Sequence, residues 1–293
     1  MLRQRFAVGA PLGCLALAGF LFPGWPGALL FLCLGGFLIV EGLREFHNMA
    51  EAMGLPGARQ ACYLAGLAFV LVGPLAAWVS PTSPATAAAS LDAAVLSMVF
   101  VLLAVGLFRA GPSQASLTRC GVSLAAVVYV AWSMSFAGKL YFSGSDGRRL
   151  VLFLVAVTKV ADIGAFTLGS LTAKLPRGNH KLCPRLSPKK SWEGLFGGVI
   201  ASLACAFGLL YLWPESMRLH GVQVVNWAVA LAFGLLAPVL GLLGDLAESG
   251  FKRASGFKDS GRLPGLGGVL DVLDSLIPVA PLFYACIHLF AAS

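Results

Sequence analysis

Long apolar runs separated by short polar segments dominate this sequence of 293 residues. Hydrophobic residues make up 58% of the chain and charged residues only 12%, and the mean hydropathy is +0.84. A soluble globular protein needs more polar surface than this composition can supply. The sequence therefore predicts an all-α, polytopic membrane protein.

Nine apolar runs are predicted to be transmembrane helices. They are residues 6–22, 28–43, 61–79, 93–108, 122–142, 150–171, 195–213, 224–246 and 273–292. We interpret the first run as a retained span rather than a signal peptide, because a tight turn and no small-residue cleavage site follows it. Residues 44–60 are predicted to form an aqueous loop or a short surface helix, and residues 80–90 an uncharged loop.

The bases are distributed unevenly between the loops of this arrangement. With the N-terminus in the cytoplasm, 16 of the 21 Lys and Arg residues fall in inside segments and four in outside segments, while Lys159 lies within a span. This bias agrees with the positive-inside rule. We predict a single integral membrane domain over residues 1–293, in which 1–149 form the N-terminal helices and 150–293 carry the chemistry.

Several kinds of site are not expected. The seven cysteines include no C-x-x-C pair and mostly lie inside apolar runs, and the four histidines are scattered. Neither a disulfide framework nor a zinc or imidazole-based metal site is therefore indicated. Nucleic acid is not an expected partner, because the bases lie in separate loops rather than on one soluble face.

One stretch, residues 244–275, gathers five of the 13 acidic residues and four bases between apolar runs. Four of its polar residues stand at positions i, i+3, i+4 and i+7, namely Asp245, Glu248, Ser249 and Lys252. If the preceding helix continues through them, they share one face.

A glycine-rich segment and a second pair of carboxylates complete this stretch. Residues 256–268 hold five glycines and a proline, a composition typical of a loop whose backbone can approach a ligand. Asp271 and Asp274 follow, three residues apart, and a helical start would point them the same way. Carboxylates on both sides of such a loop, among lysines and arginines, suit a hard cation such as Mg²⁺ that holds phosphates. This pattern favours phosphoryl or nucleotidyl transfer.

The alternative interpretation is an ordinary charged loop between two membrane helices. Bases that follow the positive-inside rule, with acids that offset them, would account for most of its charges. Asp245 does not fit this alternative easily, because an acid that closes an apolar run is costly near the bilayer unless it is paired or bound to metal.

Two further charged features lie upstream. Lys159 and Asp162 stand at i and i+3 inside the sixth apolar run, where they predict either a structural ion pair or a site residue. The loop 170–191 is the most basic of the chain. Within it, Ser187 is predicted to be an N-cap with proline at the first helical position, so that free N–H groups and two lysines would attract phosphate. Positive-inside retention with anionic-lipid contact is the alternative.

The order of residues in 244–275 resembles the signature of the phosphatidate cytidylyltransferase (CDP-diacylglycerol synthase) family. That signature reads approximately S-x-x-K-R-x4-K-D, a short spacer, then P-G-H-G-G-x-x-D-R-x-D. The matching residues are Ser249, Lys252, Arg253, Lys258, Asp259, Pro264, Gly265, Gly267, Gly268, Asp271 and Asp274. Leu266 stands where the family usually has His, Val272 stands where it usually has Arg, and the spacer before the proline is one residue shorter.

Two other strings resemble the same family. Residues 162–169 are similar to its D-x-x-A-[YF]-x-x-G segment, and residues 187–194 are similar to its S-P-K-K-[ST]-x-E-G motif, which is implicated in the nucleotide site. The three matches follow the family order over residues 162–275. The N-terminal half carries no comparable motif.

The resemblance implies that CTP and phosphatidate react to give CDP-diacylglycerol and pyrophosphate, for phospholipid biosynthesis at the cell (inner) membrane. It implies Mg²⁺ as cofactor, with a second cation left open. The expected catalytic residues are Asp245, Asp271, Lys252 and Arg253. The expected metal ligands are Asp245 and Asp271, supported by Asp274 and Glu248. Substrate contacts are expected from Ser187, Lys189, Lys190, Glu193, Asp162, Ser249, Lys258, Gly267 and Gly268.

Two rival functions stay open. A CTP-dependent polyprenol or phytol kinase would attack the γ-phosphorus and release CDP instead of pyrophosphate. A transporter could carry Lys159, Asp162 and Asp245 along a pathway, although we find no internal repeat and the charges cluster on one predicted membrane side. A homodimer, the acyl-chain preference and the choice between CTP and dCTP also stay open.

Overall fold

The computed structural model describes residues 19–20, 22, 24–176, 178–213, 217–219, 222–261 and 267–292. Its helices are α1 (Trp25–Ala52), α2 (Arg59–Val79), α3 (Pro84–Ala110), α4 (Gln114–Ala126), α5 (Ser133–Tyr141), α6 (Gly147–Thr172), α7 (Trp192–Leu212), α8 (Trp227–Ser255), α9 (Leu270–Leu273) and α10 (Leu276–Ala292). A π-helical segment, Val127–Trp132, joins α4 to α5, so the three form one continuous span.

The described residues form two short β-hairpins. Strand β1 (Lys181–Cys183) pairs antiparallel with β2 (Ser187–Ser191), with Lys181 opposite Ser191. Strand β3 (Arg218–Leu219) pairs antiparallel with β4 (Val222–Gln223). The predicted all-α class is confirmed, because these hairpins are short and the remaining regular structure of the described residues is helical.

Among the described residues, eight helices are long and apolar enough to cross a membrane. They correspond in order to the second to ninth predicted spans. The first predicted span, residues 6–22, falls almost wholly outside the described part of the chain. The count of nine spans and the cytoplasmic N-terminus therefore stay predictions.

The structure corrects two loop predictions. Residues 44–60 are predicted to form an aqueous loop or a short surface helix, but α1 continues through them to Ala52 with a buried face, and α2 already begins at Arg59. The reason is packing, because Phe46, Met49 and Ala50 lie on one helical face and are buried. The predicted loop 80–90 is mostly helical as well, because α3 begins at Pro84, a residue that is favoured in the first turn.

The chain divides into two compact units. The first comprises residues 1–143 and 251–273, and the second comprises residues 144–250 and 274–293. The predicted division after residue 149 lies close to the first boundary, but residues 251–273 belong with the N-terminal helices.

The first unit is packed through small residues and one buried ion pair. A Cβ atom at Gly73 of α2 would lie 2.7 Å from the carbonyl oxygen of Gly138 in α5, so these helices pack backbone to backbone. Lys139 of α5, with 1% of its side chain exposed, lies 2.5 Å from Asp92 of α3. The indole of Trp132 also donates to Asp92, at 3.2 Å.

The second unit is built around an aromatic cluster. Phe153 of α6, Phe233 of α8 and Phe283 of α10 are in mutual contact, with ring centroids 4.4–5.8 Å apart. Helices α6 and α7 pack where Gly164 faces Gly197, since a Cβ on Gly164 would lie 2.6 Å from the Gly197 carbonyl oxygen. These contacts fix the helices that carry the charged residues of this unit.

Candidate active site

Helix α8 carries the predicted polar face. It runs unbroken from Trp227 to Ser255, so Asp245, Glu248, Ser249 and Lys252 lie on one helix, as predicted. The Ser249 hydroxyl donates to Asp245 Oδ1 at 3.3 Å, and Glu248 is buried, with 1% of its surface exposed.

The second unit brings the basic hairpin, which is formed by β1 and β2 (residues 181–191), to this helix. Lys190, in β2, forms an ion pair with Asp245 Oδ2. The two residues are far apart in the sequence, and both belong to the predicted site. A lysine ammonium binds phosphate as a point charge, so Lys190 is suited to a phosphate contact beside Asp245.

A second charged group of this unit surrounds the start of α10. Lys159 lies 3.3 Å from Asp162, which confirms the predicted i, i+3 pair. Ser275 joins the two, because it accepts from Lys159 at 2.7 Å and donates to Asp162 at 2.9 Å. The buried Asp274 is repelled electrostatically by Asp245 and Asp162 and attracted by Lys159. This unit therefore concentrates carboxylates beside lysines.

The first unit holds Asp271 in a network of hydrogen bonds. Its Oδ1 accepts from Lys252 Nζ at 2.5 Å. Its Oδ2 accepts from the backbone N–H of Gly268 at 2.7 Å, and from the N–H and the hydroxyl of Ser260, both at 3.1 Å. Gly267 has φ +84°, and a Cβ there would lie 2.7 Å from Asp271 Oδ2, so glycine is required at this turn. The predicted approach of the glycine-rich backbone is thus to Asp271 itself.

The prediction that Asp271 and Asp274 share a helical face is wrong. Helix α9 ends at Leu273, and Asp274 lies in the turn before α10. Its Oδ1 accepts from the N–H of Ser275 at 2.6 Å, a local bond that competes with a helical continuation.

The predicted helix start at Ser187 is also wrong. Residues Ser187–Ser191 form strand β2, and α7 begins at Trp192. Ser191 is the N-cap, since its hydroxyl accepts from the N–H of Gly194 at 3.1 Å. Pro188 sits in a short two-stranded hairpin, where a missing N–H is tolerated.

The remaining predicted residues have varied surroundings. Glu193 accepts from the backbone N–H of His180 at 3.1 Å and contacts its Nδ1 at 2.6 Å, which closes the basic hairpin. Lys189, Arg253 and Lys258 are exposed. The signature residues Pro264, Gly265 and Leu266 lie outside the described residues.

The predicted metal ligands are divided between the units. Asp245, Glu248 and Asp274 belong to the second unit and Asp271 to the first. Within the described part of the chain, no three His, Cys, Asp or Glu side chains are arranged to hold a metal ion. The donors are all carboxylate oxygens, which Mg²⁺ prefers, and lysines now balance Asp245 and Asp271. The residues fit the chemistry of Mg²⁺, and the ligand set stays a prediction.

Sequence reasoning missed Glu45 and Ser260. Glu45 of α1 is buried and accepts from Ser260, Val269 and Leu270, around the ends of the glycine-rich segment. A signal was present, because an acid directly before Phe46 on an apolar helical face is costly without partners. It was obscured because residues 44–60 were predicted to be in water.

Comparison with known proteins agrees with these motifs. Residues 3–290 match the model of the Cytidylyltransferase family. A phosphatidate cytidylyltransferase of Staphylococcus epidermidis is 32% identical over 259 residues, which cover 87% of this chain and 89% of the relative. That of Staphylococcus aureus is 31% identical over 263 residues, which cover 87% of this chain and 89% of the relative. That of Staphylococcus haemolyticus is 32% identical over 263 residues, which cover 89% of this chain and 90% of the relative. The chain belongs to the cytidylyltransferase family.

Proposed function

We propose that the chain is a CTP:phosphatidate cytidylyltransferase, which makes CDP-diacylglycerol and pyrophosphate for phospholipid biosynthesis. The observation that carries this proposal is the similarity, over 87–89% of the chain, to relatives named phosphatidate cytidylyltransferase. The charged residues support it, because a reaction between two phosphate-bearing substrates depends on positioning and on charge stabilisation and needs no protein nucleophile.

In the proposed reaction, a phosphate oxygen of phosphatidate attacks the α-phosphorus of CTP. A new P–O bond joins the two substrates, and the bond from the α-phosphorus to the oxygen that bridges it to the β-phosphorus breaks. Pyrophosphate leaves with that oxygen. Negative charge builds up on the leaving group, so nearby ammonium and guanidinium groups lower the barrier.

Basic residues of both units have proposed roles on phosphates. Lys189 and Lys190, in β2, would contact the nucleotide phosphates, and the pairing of Lys190 with Asp245 supports a place in the site. Lys252 and Arg253, at the end of α8, would contact the phosphates that react or leave. Lys252 is held in place by its bond to Asp271.

The proposed cofactor is Mg²⁺, which when bound neutralises phosphate charge and polarises the reacting phosphorus. Asp245 is its proposed main ligand in the second unit, with Asp274 and Glu248 in support. Asp271 is its proposed ligand in the first unit. The lysines that now balance these carboxylates would then be free to turn to substrate phosphates.

The proposed partners are CTP from the cytoplasm and phosphatidate from the bilayer. The eight apolar helices support a multi-pass membrane location, and the cell (inner) membrane is the proposed one. A homodimer stays open.

One assay tests the proposed function. Detergent-solubilised protein is mixed with phosphatidate, Mg²⁺ and CTP labelled at the α-phosphate, and lipid and soluble products are separated. Labelled CDP-diacylglycerol with an equal amount of pyrophosphate is expected. In a parallel reaction with a polyprenol as acceptor, labelled CDP without labelled lipid would indicate a lipid kinase instead. No product with either acceptor, from folded protein that binds Mg²⁺-CTP, would contradict enzymatic activity.

A further inference from the structure

Glu45 is a buried acid in the first unit, far in sequence from every motif described above. It lies on α1, and 1% of its surface is exposed. Taking a carboxylate out of water is costly unless hydrogen bonds compensate it, and an apolar side chain would be the cheaper choice for packing. Glu45 therefore needs a reason other than filling space.

Its hydrogen bonds supply that reason. Oε1 accepts from the N–H of Val269 at 2.9 Å, and Oε2 accepts from the N–H of Leu270 at 2.8 Å. Oε2 also accepts from the hydroxyl of Ser260 at 2.9 Å. One carboxylate thus joins Ser260 to the backbone at Val269 and Leu270.

The adjacent glycines show how closely the backbone surrounds this carboxylate. A Cβ atom on Gly268 would lie 2.6 Å from Glu45 Oε2, and a Cβ on Gly261 would also overlap the Glu45 carboxylate. Real Cβ atoms do not approach so closely, so larger residues at either position would push the segment off Glu45. The position of Glu45 therefore explains why residues 261 and 268 are glycines.

Ser260 connects Glu45 to the candidate active site. Its hydroxyl lies 2.9 Å from Glu45 Oε2 and 3.1 Å from Asp271 Oδ2, and a hydroxyl has a single hydrogen to donate. The two carboxylates therefore share one donor. Asp271 in turn accepts from Lys252, so a displacement of Ser260 alters the position of both proposed catalytic groups.

We propose that Glu45 is a positioning residue for nucleotidyl transfer, which acts by holding Ser260 and the N–H groups of Val269 and Leu270 so that Asp271 and Lys252 keep their geometry. The inference rests on the proposed function. Glu45 does not touch substrate in this mechanism and acts through Asp271.

The test compares Glu45→Gln with Glu41→Gln, the same change one turn earlier on α1, where Glu41 pairs with Arg44 at 3.3 Å. Glutamine keeps the size of Glu45 but replaces one acceptor oxygen by an NH₂ group that faces backbone donors. We expect kcat per folded protein to fall about 10- to 100-fold in Glu45→Gln, because small misplacements of catalytic groups cost that much, while the KM for CTP stays unchanged. Glu41→Gln should match the wild type.

A second readout needs no turnover. Lys258 and Arg109 are both exposed, and trypsin cleavage after each is followed by mass spectrometry in detergent. In Glu45→Gln, cleavage after Lys258 should become roughly tenfold faster, since loosening around Ser260 is local, and cleavage after Arg109 should not change. If the wild type makes no CDP-diacylglycerol, the proposed function fails, but this readout still tests the hold of Glu45 on the segment.

Several outcomes would overturn the inference. They are wild-type kcat in folded Glu45→Gln, unchanged cleavage after Lys258, or equal acceleration at Lys258 and Arg109, which would indicate a global loss of stability. If Glu45→Gln does not fold, Ser260→Ala decides, because it leaves the bonds of Glu45 to Val269 and Leu270 in place. Ser260→Ala should lower kcat and speed cleavage after Lys258, and wild-type values for both would sink the proposal.

Discussion

Asp245 and Asp271 each lie against one lysine, Asp245 against Lys190 and Asp271 against Lys252. Each pair is partly exposed, so its attraction is weakened by solvent and contributes little to stability. The same charges are well placed for phosphates and a cation. At the scale of single residues, these pairs are therefore better explained by chemistry than by folding.

Replacement of either aspartate should stop most turnover without unfolding the protein. Asp245→Asn and Asp271→Asn keep the side-chain size but remove the anion, and each should lower kcat roughly 100-fold. The control is Asp259→Asn, an exposed residue of the glycine-rich segment, which should have a smaller effect. CDP-diacylglycerol formation at saturating Mg²⁺ and CTP measures this, with thermal unfolding in detergent as a check. Near-normal turnover in both variants would favour an ordinary charged loop.

The buried pair of Lys139 and Asp92 should behave in the opposite way. Lys139→Met leaves the mostly buried Asp92, whose side chain is 14% exposed, without its ammonium partner, which should destabilise the protein by about 3 kcal/mol. The double change Lys139→Met with Asp92→Leu should recover most of the lost stability. Thermal unfolding in detergent gives both values, and a double variant as unstable as the single one would mean that the pair has another role.

At the scale of elements, the basic hairpin is the part whose structure departs most from its predicted form. Two serines of this segment could cap a helix. Ser187 precedes a proline, which is a common helix start, and Ser191 is an equally suitable N-cap. The pairing of Lys181 with Ser191 in the hairpin decides between them. The consequence is that Lys190 lies on a strand before the cap, beside Asp245, and not in the first turn of a helix.

The cap can be tested with two matched serines. Ser191→Ala removes the acceptor for the Gly194 N–H and should lower the free energy of unfolding by about 1 kcal/mol. Ser187→Ala should leave stability unchanged, because Ser187 lies in a strand and caps no helix. Chemical or thermal unfolding in detergent compares them. A larger loss for Ser187→Ala would restore the helix start predicted from the sequence.

At the scale of the whole molecule, eight described helices are long and apolar enough to cross a membrane, and the charge bias predicts which side each loop faces. The basic loop 170–191 and the stretch 244–275 carry ten of the 16 bases that the positive-inside rule places in the cytoplasm. Nucleotides are available on that side. The proposed function therefore requires that these two segments face the cytoplasm.

Thiol labelling tests the orientation. Cys183, in β1, is partly exposed and should react with a membrane-impermeant thiol reagent only from the cytoplasmic side, in inside-out vesicles and not in intact cells. Cys33 is the control, since it is exposed on the apolar helix α1 and should be shielded by lipid from both sides. The variants Cys33→Ser and Cys183→Ser identify each signal. Labelling of Cys183 in intact cells would overturn the topology.

The sequence by itself determined the features that depend on neighbours along the chain. Helices form their hydrogen bonds within four residues, so apolar runs predicted the spans and the spacing of Lys159 and Asp162 predicted their pair. The same local rule placed Asp245 and Lys252 on one helix. The order of the signature residues indicated the family that the comparison with relatives confirms.

Only the tertiary structure decided which distant residues meet. Lys190 reaches Asp245, and Glu45 reaches Ser260 across 215 positions of sequence, because the packing of helices brings them together. No periodicity encodes such a partner, since many acids and bases have the same local pattern. The burial of Glu45 was hidden for the same reason. Whether a polar residue at the end of an apolar run lies in water or against another segment depends on what packs beside it, and that is a property of the fold.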